Sequence, residues 1–464
     1  MTSTTSWAAG VSGDWNTAAN WTNGVPVDQA LITASGTYTV TSSAANSVHL
    51  LAIAKKATLA IAADELDLTG GTLSGGLAGT ITVAVGATFG LGTVAGIETF
   101  ENAGAIDLQS NLMIEGSATL DGKGEIDLSG NAQILPNGGA ATLTNVDNAI
   151  SGAGTIGNPS LTLVNEAKGV INATGNLVID SSADSTNAGL MEAKVGNLIL
   201  GNGSTLTGID QSSKGRIEAA GGEILLESFQ IGGGQVSIGK GAFLDASGGD
   251  NEISTSKPIK NAGVMEIGGG LTTGAIKNTS TGVLAVGGIA FINDAVTGGT
   301  LEIQSAADVE MKGALSANVT FDAGSTGLLA LYDPTQFKGT VSGLGGGGSI
   351  DLENISFADG PVLDLNAKKT VLTVTDPVTD VVDRIKLVYT GFIIVAEKAP
   401  DGSTLIVDPP ANPQTAPGQS ARLLAQSMAT FGAATGIAGS VHADAAGHPM
   451  WSGSLASNSQ HWHK

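Results

Sequence analysis

The chain has 464 residues, no Cys, 68 Gly, 18 aromatics, and 20 basic against 42 acidic residues, giving a formal net charge of −22. That balance, with Arg only at Arg216, Arg384 and Arg422, excludes a nucleic-acid binder, because phosphate recognition needs clustered cations. The missing Cys excludes a disulfide framework and thiolate metal sites, and no apolar run of about 18 residues predicts a transmembrane segment.

Charged residues are 13% and hydrophobic residues 42%. The apolar residues are small or β-branched and alternate with Gly, Thr, Ser and Asn. This pattern argues against disorder and for a long, thin core. Gly has no three-residue period, so collagen is excluded.

Residues 1–12 lack a basic n-region and an apolar h-region, so no cleaved secretory signal is expected there. Trp7, Trp15 and Trp21 are three of the five Trp. With Pro26 and Tyr38 they predict a cap over residues 1–44, because a solenoid end needs large side chains to close its core. A carbohydrate-stacking platform is the alternative use of these rings. Gly13-Asp14-Trp15, Asn20-Trp21, Gly24, Pro26, Asp28 and Ala30-Leu31-Ile32 resemble an N-terminal element of bacterial β-solenoid surface proteins of the autotransporter and adhesin type. The resemblance implies an exported β-helix and no activity.

Residues 45–330 read as the repeat body. Gly-x-apolar starts recur at 104, 124, 154, 169, 189, 215, 234, 263, 282 and 299, and Asn precedes several of them, as in Asn102-Ala-Gly104, Asn187-Ala-Gly189 and Asn261-Ala-Gly263. Short alternating runs such as Leu161-Thr-Leu163, Leu177-Val-Ile179, Leu198-Ile-Leu200, Val236-Ser-Ile238 and Leu301-Glu-Ile303 predict strands. The fold class is therefore all-β: a parallel β-helix with two or three strands per rung. Gly and Asn are expected in left-handed corner positions. At about 20 residues per rung, this body predicts about 14 rungs and a rod of roughly 70 Å. A stacked β-sandwich would instead show turns every 8–12 residues.

Residues 331–408 predict a C-terminal β unit, with Tyr332, Phe337 and Phe357 closing the last rung. Phe337-Lys-Gly-Thr-Val-Ser-Gly-Leu344…Ile350-Asp-Leu352 resembles an element near the C-terminus of repetitive proteins exported by type I secretion. It departs from that pattern at Leu344, where Phe is usual, and at Gly348, where Asp is usual. Strands are expected at 371–374, 385–389, 392–395 and 404–407. Residues 409–464 read as a Pro-rich linker, a short helix over Ser420–Phe431 with Leu424, Met428 and Phe431 on one face, and a loose tail resembling a type I secretion signal.

Catalytic chemistry is sparse. A polyuronate lyase on a β-helix needs Asp clusters beside a basic residue, and the body offers Arg216 alone among arginines. Asp107 and Asp127 fall one 20-residue step apart, where stacking would raise one pKa. Outward polar positions in strands that read Ile-Asp-Leu explain them better, and no catalytic residue is assigned. The oxygen-rich turns Asp245…Asp250-Asn-Glu252 and Asp351-Leu-Glu353 make Asp245, Asp250, Glu252 and Asp351 the Ca²⁺ candidates. Solvated turns are the alternative, and no other cofactor is expected. His442, His448, His461 and His463 crowd the last 23 residues, where a mobile tail explains them better than a metal site.

These observations predict a non-enzymatic, secreted structural protein that assembles head to tail with itself into filaments, matrix or a surface layer. Its assembly residues are expected in the cap and the C-terminal unit. A monomeric adhesin binding glycans or host surfaces is the alternative. Export to the bacterial cell surface without a cleaved signal, self-association, and no nucleic-acid partner complete the expectation.

Overall fold

The computed structural model describes residues 3–345, 347–388 and 394–408, and the backbone of Val441–Ala443 and Pro449–Trp451. The expected linker and Ser420–Phe431 helix lie outside the described residues, as does nearly all of the expected tail, including His448, His461 and His463.

The structure is a parallel β-solenoid of about 17 turns, which at ~4.8 Å per rung makes a rod of roughly 80 Å. The count exceeds the expected 14 for a physical reason. Rungs begin inside the N-terminal segment, where Thr4–Ser6 pairs with Gln29–Ile32, and continue to Ser349–Ser356. Each full rung carries three strands. The first face stacks Gln29–Ile32, Leu50–Ile53 and Thr72–Leu77. The second stacks Tyr38–Ser42, Ala57–Ile61 and Thr80–Val83. The third stacks Asn46–Val48, Glu65–Leu68 and the start of Thr88–Glu101.

Alternation decides what fills the interior. On the second face Leu59, Ile81, Ile106, Ile126, Ile150, Ile171, Met191, Ile217 and Val236 are successive register partners, all fully buried. Each such side chain contributes about 1.5–3 kcal/mol relative to exposure. The five alternating runs named above all fall in strands with their apolar ends buried.

The corners differ from expectation. Among the described residues no Asn has positive φ; the non-glycine positions there are Asp64, Lys123, Ser228, Ser305, Lys369 and Asp380. A subset of the Asn residues points inward instead, as a buried amide ladder. Asn145 Nδ2 donates to Asn165 Oδ1 (3.0 Å), Asn165 Nδ2 to Asn187 Oδ1 (2.9 Å), and Asn187 Nδ2 to Gln211 Oε1 (3.4 Å). Asn261 Nδ2 donates to Asn278 Oδ1 at 2.9 Å in the same way. The Asn-x-Gly spacing has its own cause: the Gly189 and Gly263 N–H groups donate to the Oδ1 of Asn187 and Asn261. These glycines sit where rungs nearly touch. A Cβ on Gly104 would lie 1.9 Å from Gly79 O.

The C-terminal unit closes the rod with antiparallel strands. Ser403–Val407 returns onto Ser349–Ser356 and pairs with Val395–Lys398. Val382–Leu387 continues the third face, followed by Val371–Thr375 and Val362–Leu365. The strands expected at 371–374 and 404–407 are present. That at 385–389 begins earlier, at Val382. Of 392–395, the described part begins the strand Val395–Lys398.

Candidate functional site

The two ends are chemically distinct. At the N-terminal end Trp7, Trp15, Trp21, Pro26 and Tyr38 are all buried within their own chain. Trp7 and Trp15 meet Trp21 edge-on at 4.9 and 5.0 Å between ring centroids, and Trp7 lies parallel to Tyr38 at 6.5 Å. Trp21 Nε1 donates to Trp15 O (2.7 Å) and Trp7 Nε1 to Val11 O (3.0 Å). The segment that carries Trp21 folds back over the first strand. Thr22 N donates to Ser6 O, Ala8 N to Asn20 O, and Asn23 Nδ2 to Thr4 O. The first strand edge is thereby covered by the chain itself.

At the C-terminal end Phe337 is buried, Phe357 half-buried and Tyr332 partly exposed, with Tyr332 Oη 3.2 Å from Glu310 Oε2. Val362–Leu365 pairs only with Val371–Thr375 among the described residues, and Val362 is 57% exposed. This strand presents an open edge.

Along the outside of the second face runs one continuous polar line. Its register partners are Thr82, Asp107, Asp127, Ser151, Asn172, Glu192, Glu218, Ser237, Lys260, Lys277 and Thr297. It is acidic over its earlier rungs and basic over its later ones. Asp107 and Asp127 stack as the 20-residue step predicts. Burial, then Asp127, then Glu125 push the Asp107 carboxyl up. Ser151 Oγ donates to Asp127 Oδ1 at 2.6 Å. The same crowding raises Asp121 and Glu223, with burial the larger cause and stacked carboxylates the next.

The Ca²⁺ candidates separate. Asp245 accepts from Ser247 N, and Glu252 from Gln230 Nε2. Asp245, Asp250 and Glu252 form no three-carboxylate group among the described residues, because they lie on two different faces of the rod. Asp351 does converge, with Glu353 and Asp401, their ligand atoms within 4.8 Å of one another. Ser403 Oγ lies 2.6 Å from an oxygen of both Asp351 and Asp401. Such a set offers hard oxygen ligands suited to Ca²⁺. Asp401 escaped sequence reasoning because the antiparallel return of Ser403–Val407 brings it to Asp351 from 50 residues away.

Comparison with protein-family models, curated proteins and solved structures finds no match to this chain. No helix among the described residues is long and apolar enough to cross a membrane.

Proposed function

We propose that this protein is a secreted, non-enzymatic structural solenoid that self-assembles into extracellular filaments, matrix or a surface layer. The observation that carries this reading is the open strand edge Val362–Leu365 at the C-terminal end of the rod, with Val362 exposed. Unpaired edges of this kind template pairing with another chain. The buried indoles do not themselves reach a neighbouring copy, so the outer residues of the N-terminal cap would receive that edge in a head-to-tail joint. Glycan binding by a monomer draws less support, since it favours exposed lateral rings. Phe89, Phe100, Phe229 and Phe321 are buried, while Phe243 is 46% exposed. The two sequence resemblances support export to a bacterial surface.

Negative-stain electron microscopy of the purified protein, with and without millimolar Ca²⁺, tests the proposal. Filaments or sheets are expected, and Val362→Lys should abolish them while leaving the β circular dichroism signal intact. Discrete rods from the unaltered protein under both conditions overturn it.

A further inference from the structure

A buried carboxylate in the C-terminal unit has no hydrogen bond or ion pair within normal geometry among the described residues. Asp383 faces inward from Val382–Leu387 beside the core residues Ile385 and Leu387, and is fully buried. Neither of its oxygens receives a hydrogen bond, and no Lys or Arg pairs with it among the described residues. Three elements converge here. The strand bearing Asp383 packs on the 3₁₀ turn Pro334–Gln336, whose preceding residue is Asp333, and Ser349–Ser356 packs on that same turn. Ser349–Ser356 supplies Asn354, whose amide lies beside the Asp383 carboxyl without reaching hydrogen-bond geometry. Asn354 Oδ1 is itself buried and without a donor. The Asp333 carboxylate is near enough to repel Asp383. It holds its own charge through donors from Thr335 and Gln336.

Burying an unpaired carboxylate costs several kcal/mol. Protonation is one relief, because the new O–H would donate to the neighbouring Asn354 Oδ1, which lacks a donor of its own. A cation is the relief that leaves the carboxylate charged at neutral pH, and the oxygens at hand are hard ligands: two carboxylates and an amide carbonyl. We propose that Asp383, Asn354 and Asp333 form a binding site for a hard divalent cation, Ca²⁺ foremost, that locks the C-terminal unit onto the last rungs. This site is separate from Asp351, Glu353 and Asp401. Burial is the largest cause of the raised Asp383 carboxyl.

Calorimetric titration of the full chain with CaCl₂, paired with thermal melts, tests the site. Saturable binding and a Ca²⁺-dependent rise in Tm are expected. Asp383→Asn should raise the Tm of the metal-free protein, by removing the orphan charge, and should abolish one saturable component. Asp401→Asn should leave that component intact. Asn354→Asp adds a ligand charge and should tighten binding about tenfold, since charge count tunes such sites. It keeps the proposal testable if Asp383→Asn fails to fold. No saturable binding, or binding unchanged in Asp383→Asn or Asn354→Asp, overturns it.

Discussion

Asp107 and Asp127 are register partners on adjacent rungs, two like charges stacked on one face of the rod. The folded state therefore holds the Asp107 proton more tightly than the unfolded chain does. Asp67 follows the same rule more strongly, raised from 3.8 to about 6 by burial first, then by Glu65 and Glu115. A carboxyl with a raised folded pKa makes stability fall as pH rises from its unfolded to its folded value. For Asp67 that window runs from 3.8 to about 6. Acidifying from pH 7 to about 5 should thus raise Tm. Asp67→Asn should raise Tm at pH 7 and flatten the pH dependence. Melts across that pH range, unchanged by the substitution, would refute the assignment.

Asn165 links two rungs, accepting from Asn145 and donating to Asn187. Asn165→Ala removes both ladder bonds, and the contacts of Asn165 Nδ2 to Gly169 O and Leu190 O, inside a buried corner, and should cost about 2–4 kcal/mol, measured by urea denaturation. Solenoids are stabilised by nearest-neighbour contacts, so hydrogen exchange should rise around residues 141–190 and not at the rod ends. Uniform loss of protection along the rod would contradict this.

The parallel coil was legible because inward positions such as Ile106 and Ile126 repeat at a fixed step beside Gly104 and Gly124, but its three sides were not, since the spacing fits two or three strands per rung. The amide ladder was only half legible. Asn-x-Gly was visible, but side-chain direction depends on the corner backbone, which spacing does not encode. The C-terminal unit was the least legible. Asp383 and Asn354 are 29 residues apart, and antiparallel returns, not a repeat, place them together.

Glycines of the same composition should behave oppositely. Gly104→Ala places a methyl 1.9 Å from the Gly79 carbonyl oxygen, a backbone atom that cannot give way without separating two rungs. It should lower Tm sharply. Gly139 is exposed and has no left-handed φ, and a methyl there would meet nothing within 4 Å. Gly139→Ala should be neutral or stabilise by about 0.4–1 kcal/mol through the unfolded chain. Equal Tm changes for the pair would show that rung-to-rung contact is not what selects Gly104.

Trp15 separates capping from assembly. Its ring is fully buried against Trp21, and its carbonyl accepts the Trp21 indole N–H. Trp15→Ala should cost about 3–5 kcal/mol, as large core truncations do. The fold is quasi-one-dimensional, so that loss should appear as fraying. Exchange protection should fall over residues 4–42, while the rungs beyond residue 100 keep theirs. Once the cap frays, the edge of Thr4–Ser6 is uncovered, because Thr22 and Asn23 no longer hold its carbonyls. An exposed edge invites irregular pairing. The variant should therefore aggregate more readily than the parent, and light scattering during mild heating should show it. Unchanged scattering with lost N-terminal protection would mean that the fold-back of residues 20–24 guards the edge without the indole core beneath it.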